Sequence, residues 1–434
     1  MEQHSELNFK LMKKSIYLLT IIAFSCINFS CQKMFPNIDK HNPYSSEIKK
    51  LNITLVYPEG FEGEIKAGAE ITIINPSNGT KYDLLSDNNG KATINLQYGF
   101  YSVSVTDKGT PTSGSIPIFN KRIDQFHITD TLKGDLNINM NLVLSYAGQL
   151  VIKEIYYRGC TRPDGKPYEF YDKYLIVYNN SNDVAYLDGV CFGVVEPFFA
   201  PSSPTAWSYI NDEGQRVIRD TVPIIEAIWQ FPGSGKNHAL QPGEEAVVAL
   251  AAAIDHTILY PNSVNLDVPG YWVCYNQLYT NASFHPSPGP NLANHWLDLL
   301  WKESTLKAYG FSAVSPAPIL FRMPVSDPQA YVNDPENRSR RPGSSSSKEY
   351  VMIPSKWVLD GVEAFDSDTK NKRLPATIDA TYALMTNDER YMGKTIHRKI
   401  DEAATTVAGG RIVYMDTNNS ANDFYIRESQ TIKK

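Results

Sequence analysis

Residues 150–194, LVIKEIYYRGCTRPDGKPYEFYDKYLIVYNNSNDVAYLDGVCFGV, confine this chain to a narrow set of folds. An apolar run of strand length leads into a polar turn. A second run ends in Tyr178-Asn179-Asn180, and a third carries Leu187-Asp188-Gly189. Short apolar runs bounded by Gly, Pro, Asn and Asp read as strands and turns. The same punctuation continues along the chain, with 27 Pro and 26 Gly, so an all-β protein is expected. Its 434 residues exceed one small sandwich and suit two or three domains. The 26 Tyr suit strands half-buried on a pleated face, and equally protein- or carbohydrate-binding surfaces. The net charge of -6, spread without a long run, argues against a nucleic-acid partner, which needs a basic face.

The N-terminus reads as an address. Met12-Lys13-Lys14 opens a basic segment, and residues 16–29 form an apolar run shorter than the ~20 residues of a membrane span. Glu2 and Glu6 are out of place before such a segment, which marks Met12 as the expected start. The run closes on Ser30-Cys31-Gln32 and resembles a bacterial lipoprotein signal. That resemblance implies cleavage before a lipidated Cys31, acylation strong enough to hold the chain on a membrane, and residues 1–31 as signal peptide. Residues 32–47, with Pro36 and Pro43, then form a tether.

From residue 48 to 145 a first sandwich is expected. Leu51-Asn52-Ile53-Thr54-Leu55-Val56-Tyr57 alternates strictly and gives one apolar face. Glu70-Ile71-Thr72-Ile73-Ile74, the turn from Asp87 to Gly90, Thr93-Ile94-Asn95-Leu96 and Gly99-Phe100-Tyr101 follow in order. This order resembles a prealbumin-like sandwich of the carboxypeptidase-regulatory type, a module that implies a spacer or docking role. Asp87 and Asp107 are turn residues on this reading, because no D-x-D-x-D-G calcium loop is present.

Residues 147–434 make the second module. Ile152-Lys153-Glu154-Ile155-Tyr156, Tyr178-Asn179 and Leu187-Asp188-Gly189 resemble the opening of a lamin-tail-type immunoglobulin-like sandwich. The match resumes at Leu240-Gln241-Pro242-Gly243, at Asp360-Gly361-Val362-Glu363 and near Ile396-His397-Arg398. The fold expected is therefore two β-sandwich, immunoglobulin-like domains in tandem, the second with long insertions and minor helix. The surplus falls at about residues 196–238 and 252–350. Long aromatic insertions on a sandwich point to recognition. Candidate binding residues are Trp207, Trp229, Tyr271, Trp272, His285 and Trp296. Residues 337–348, with three Arg and four consecutive Ser, read as a mobile loop. The whole arrangement resembles an uncharacterised family of Bacteroidota lipoproteins, a domain of unknown function, pictured beside TonB-dependent outer-membrane receptors.

No catalytic or metal motif emerges. Asp255-His256 ends a strand and caps a turn, without HxH or HExxH spacing. Gly233-Ser234-Gly235-Lys236 lacks the first Gly and the final Ser/Thr of a phosphate loop, and no GxSxG occurs. Cys160, Cys191 and Cys274 are too few for a disulfide scaffold and read as buried thiols. The function expected is a surface-exposed, non-catalytic binding lipoprotein of the outer membrane, accessory to a TonB-dependent nutrient uptake system, with no cofactor and no metal. A structural or adhesive surface protein and an unrecognised hydrolase are the alternatives. If Cys31 carries the lipid, Cys31→Ser abolishes incorporation of labelled palmitate and releases the chain from the membrane fraction. Undiminished labelling of the variant would exclude this site.

Overall fold

The structure is a computed structural model that describes residues 48–110, 116–129, 131, 134–212 and 214–433. Cys31, the signal segment and the tether lie outside the described residues. The first core gathers Leu51, Ile53, Leu55 and Tyr57, the apolar face that strict alternation gives. A three-stranded sheet places Ile48–Val56 between Lys91–Gln97 and Leu136–Asn141, parallel to the latter. A larger sheet runs Pro117–Ile128, Gly99–Lys108, Glu70–Ile74, Lys81–Leu85, with Val143–Tyr146 on the outer side of Pro117–Ile128. Asp87 accepts from the amides of Asn89 and Lys91, both at 2.8 Å, and so closes the turn. Asp107 accepts from the Tyr57 hydroxyl at 2.6 Å.

The second module is built on two packed sheets. One is ordered Trp272–Val273, Glu245–Ala249, Tyr174–Asn179, Leu150–Tyr156, Thr395–Arg398, Phe424–Arg427. The other is ordered Arg338–Arg340, Glu349–Pro354, Thr221–Gln230, Val190–Val195, Pro318–Arg322, Val358–Gly361, with Asp298–Lys302 also on Thr221–Gln230. Between them lie Ile152, Ile155, Leu175 and Val177 against Phe192, Val194, Trp229 and Leu320. The outer face of each sheet is also covered. Ile224, Ile228, Phe321 and Ile353 pack in one outer cluster, and Tyr174, Ile176, Val264 and Leu266 in the other. Burial on both faces explains why Leu150–Tyr156, Tyr174–Asn179 and Val190–Val195 read as continuous apolar runs. Among the described residues the α-helices are short: Pro328–Asn333, Glu402–Val407 and Ser420–Asp423.

The stretches 196–238 and 252–350 also carry strands of the sandwich: Thr221–Gln230 and Pro318–Arg322 are paired on both sides. A hairpin of Ser208–Ile210 and Arg216–Ile218 extends the first module's large sheet through Arg216 opposite Asp124. The stretch 337–348 begins on a strand: Arg338–Arg340 pairs with Glu349–Pro354, and the Arg338 guanidinium donates to the Val332 carbonyl at 2.6 Å.

Buried charge ties these layers together. Arg398 of one sheet meets Asp360 of the other at 2.5 Å, and donates to the Ile152 and Met415 carbonyls at 2.9 and 2.7 Å. Asp416 and Asp423 stand at 3.4 and 3.5 Å from the same guanidinium. Burial pushes the Asp423 carboxyl up to about 6 against the pull of Arg398, because three acids around one cation cannot all ionise cheaply. A second cluster joins Glu363 to Arg373 at 2.7 Å and to Lys372 at 2.8 Å. Burial alone would raise Glu363, but the two cations outweigh it and hold the carboxyl below its ordinary value. A polar seam meets the first module: Asn120 donates to the Thr417 carbonyl at 3.0 Å, and Asn418 to Ser145 Oγ at 2.8 Å. Removing one partner of such a pair strands the other in a dry site. Arg398→Met is therefore expected to cost about 3–5 kcal/mol in urea unfolding. A loss below about 1 kcal/mol would show that the pair is dispensable.

Candidate functional site

Most of the aromatic residues singled out from sequence are consumed by the core. Trp229 is fully buried between Tyr279 and Tyr309, with ring centroids 5.8 and 5.5 Å away. Trp207 is buried edge-on to Tyr350 at 5.9 Å and donates its indole N–H to Glu196. Trp272 is buried with His295 stacked on it at 3.7 Å. His285 is buried beside Tyr275 and Tyr279, and burial pushes its imidazole down to about 4. Tyr271 and Trp296 are half-buried in an outer cluster, and the Trp296 indole donates to the Leu292 carbonyl at 2.9 Å. Ring contacts link Trp229, Tyr279, His285, Tyr275 and Trp296 into one series running from the core to an outer cluster. Rings of this size bury more apolar area than any other side chain, so the core claims them first.

A second set of ring contacts, outside the six candidates, reaches the surface. Tyr260 packs on Tyr168 at 4.0 Å, Tyr168 stacks on Tyr171 at 5.3 Å, and Tyr171 stacks on Phe284 at 5.2 Å and 3°. Phe170 meets Phe284 edge-on at 6.2 Å. Phe170 is 46% exposed and Phe284 38%; Ile258 and Leu259, which precede Tyr260, are 77% and 70% exposed. Phe170 has φ +82°, a left-handed conformation costly for a bulky side chain. The one sequence signal was Phe170-Tyr171 set in a polar turn between two strands.

The support beneath this ladder is charged and saturated. The Lys173 ammonium lies 4.9 Å from the Phe170 ring centre and donates to the Phe311 carbonyl at 2.7 Å. Burial pushes Lys173 down to about 8. Arg390 binds both oxygens of Glu169, at 2.8 and 2.9 Å. Tyr168 bonds to His256 Nδ1 at 2.7 Å, and His256 Nε2 faces the Ala252 carbonyl at 2.8 Å. The carbonyl can only accept, so Nε2 carries the proton and Nδ1 accepts from Tyr168. Asp255 caps the next turn through the Thr257 amide at 2.9 Å. The Asp255-His256 pair thus works as cap and core, with both ring nitrogens engaged.

Beside Lys173 lies Glu226, on a bulge where the register with Val190–Val195 shifts. Its φ is +70°, its amide donates to Glu303 Oε1 at 3.1 Å, and Lys348 holds Glu303 at 2.7 Å. Burial, reinforced by the Glu303 charge, pushes Glu226 up to about 8. The glycine stretch at 233–236 curls around a side chain of the protein itself. Asp188 accepts from the amides of Gly235, Asn237 and His238 at 3.1, 2.8 and 2.8 Å. A Cβ at Gly233, where φ is +123°, would lie 2.0 Å from Asp188 Oδ1. Cys160, Cys191 and Cys274 are free and buried, and burial raises each thiol, so none is poised as a nucleophile. Among the described residues no group of three or more His, Cys, Asp or Glu could hold a metal ion.

Fold and surface together describe an all-β, sandwich-built protein with an aromatic ladder on a charged base, exposed at Phe170 and Phe284. Residues 241–431 match a family described as "Protein of unknown function (DUF4876)". The chain is also similar to the crystal structure of a DUF4876 family protein from Bacteroides thetaiotaomicron VPI-5482, at 25% identity and TM-score 0.54, over 87% of this chain and 94% of that one. The resemblance to an uncharacterised family found in Bacteroidota rests on these two matches. No curated protein matches the chain.

Glu226 gives a signed pH prediction. Folded, it keeps its proton up to about pH 8; unfolded, it loses it near 4.5, as an ordinary glutamate does. The folded state binds the extra proton in that window, so stability falls as pH rises through it. Glu226→Gln mimics the protonated acid. It should leave the unfolding midpoint nearly unchanged at about pH 4 and raise it at about pH 9. An equal effect at both pH values would show that Glu226 ionises normally.

Proposed function

We propose that this chain is a lipid-anchored protein of the bacterial outer membrane, exposed at the cell surface. It serves as a non-catalytic binding component of a TonB-dependent nutrient uptake system. The observation that carries the reading is the ladder of Tyr260, Tyr168, Tyr171, Phe284 and Phe170. Its exposed rings, Phe170 and Phe284, are backed by the half-buried Tyr171 and the buried Tyr168, with the Lys173 ammonium against Phe170, and offer area for binding with little side-chain entropy to lose. The neighbouring exposed Ile258 and Leu259 widen the patch beyond the scattered apolar residues of an ordinary surface. The lipoprotein-like segment ending at Cys31 would tether this surface to the membrane that holds such receptors.

The partner proposed is the extracellular face of the receptor, met by the aromatic ladder. A structural or adhesive role predicts the same patch bound to neighbouring surface proteins instead. The hydrolase alternative loses its Asp255-His256 pair, since His256 is spent on Tyr168 and Ala252.

Affinity capture from solubilised outer membranes tests the proposal. The wild-type chain should recover a TonB-dependent receptor. The double variant Phe170→Ser, Phe284→Ser should recover roughly tenfold less, as expected when hot-spot rings are lost, with an unfolding midpoint near that of the wild type. Recovery of only non-transport surface proteins, or equal recovery by both chains, would overturn it.

A further inference from the structure

The turn after Asp255 displays two aliphatic side chains that its own chain leaves almost uncovered. Ile258 is 77% exposed and Leu259 70%, side by side in sequence. We infer that this turn is a membrane-contact tip: Ile258 and Leu259 enter the surface layer of a lipid bilayer, with Tyr260 and the cations Arg162, Lys166 and Lys433 at the headgroups. The inference goes beyond the receptor reading and does not rest on it.

The tip is held without help from its apolar pair. Asp255 accepts from the Thr257 amide at 2.9 Å and from the Thr257 hydroxyl at 2.5 Å. His256 is buried between the Tyr168 hydroxyl and the Ala252 carbonyl. The Tyr260 amide donates to the His256 carbonyl at 3.0 Å, and the Ser263 amide to the Tyr260 carbonyl at 2.8 Å. Ser263 in turn donates to the buried Asp172 at 2.6 Å. Capping and hydrogen bonds therefore fix the backbone, and Ile258 and Leu259 project from it instead of packing beneath it. Moving such a side chain from water into an apolar phase favours the bound state by about tenfold or more for each residue.

Two features point to a bilayer as the partner. The first lies directly behind the tip. Tyr260 is half-buried on Tyr168 at 4.0 Å, with the Arg162 guanidinium 5.4 Å from its ring centre. Aliphatic side chains, then a tyrosine, then an arginine follow the order of a membrane surface: acyl chains, the zone of amphipathic rings, then phosphates. The second feature is charge. Lys166, its side chain 71% exposed, and Arg162 share one acid, Asp164, at 3.8 and 3.0 Å. Lys433 donates at 3.0 Å to the carbonyl of Asn262, two residues past Tyr260. Three cations thus stand round the turn against Asp164 and the cap Asp255, a balance that favours an anionic headgroup layer. Val407, 90% exposed at the end of Glu402–Val407, has no second exposed aliphatic beside it in sequence and serves as the control.

Leu259→Trp in the full chain tests this. The chain is reconstituted by detergent removal into vesicles of phosphatidylethanolamine and phosphatidylglycerol doped with dibrominated phosphatidylcholine. Bromine on the acyl chains quenches a tryptophan that enters among them. Leu259→Trp should lose most of its added emission, whereas the wild type and Val407→Trp should lose little. Adding Ile258→Asp to the Leu259→Trp chain should abolish the quenching, with an unfolding midpoint near that of the wild type, because the position is solvent-exposed. Vesicle flotation scores attachment separately. A chain that floats without quenching at position 259 would overturn the tip, leave the anchor standing and assign the turn to a protein partner. Equal quenching at positions 259 and 407 would overturn it as unselective adsorption. Receptor recovery is read from the Phe170→Ser, Phe284→Ser chain, so its failure is distinguishable from failure of the tip.

Discussion

Arg398 and Asp360 form the contact on which the arrangement of the second module depends. They come from strands of opposite sheets and meet inside the sandwich. Each ion loses several kcal/mol of hydration there, which attraction offsets only when nearly every donor and acceptor is used. That condition is met: Arg398 also bonds the Ile152 and Met415 carbonyls, and Asp360 the amides of Ile152 and Gly361. An apolar interface tolerates a strand slipping by two residues far better than this one does, since a slip would part every one of those bonds. The network also reaches the first module, because Asp416, beside Arg398, accepts from the Gly148 amide at 2.6 Å, just past the edge strand Val143–Tyr146. The strands Val143–Tyr146 and Val358–Gly361 are thus positioned by the same charges that hold the sheets in register.

The aromatic content then divides by demand. Sheets covered on both faces need bulky side chains in three layers, and the long stretches between the first strands supply them. Trp207, Trp229 and Trp272 are taken up in this way. Phe170 and Phe284, which lie outside the strands, are left at the surface. A long aromatic stretch on a sandwich is therefore ambiguous from composition alone. It denotes recognition only if the sheet beneath already has its cover.

This accounts for what the sequence made legible. Leu51, Ile53 and Leu55 could be placed because one face of that strand is covered and the other is not, which leaves a period of two. Leu150–Tyr156 could be recognised as a strand, but not its two-sided burial. TVPIIEAIWQ and PILFR carry the apolar runs of interior strands. They were assigned to insertions because their partners, Val190–Val195 and Glu349–Pro354 among them, lie far away in sequence. Charge pairing is similarly remote: Arg398 stands 38 residues from Asp360. Exposure of Phe170 and the protonation of Glu226 arise from tertiary packing, and no local pattern encodes either. The turn role of Asp255 was legible because a cap is set by its neighbours two residues on.

Two costly backbone conformations meet at the outward-facing site. Phe170 and Glu226 both hold positive φ, where glycine would be relaxed and a larger side chain costs ~1–3 kcal/mol. Lys173 links them: its ammonium sits against the Phe170 ring and lies near the Glu226 carboxyl. With glycine at both positions the backbone would be easier, but the ring that faces the Lys173 ammonium would be absent. The strain therefore has a structural consequence that relaxation would erase: a phenyl face held outward at one fixed angle, over a buried cation. A surface made for solubility needs neither the ring nor the angle, whereas a surface that must meet one partner in one orientation needs both.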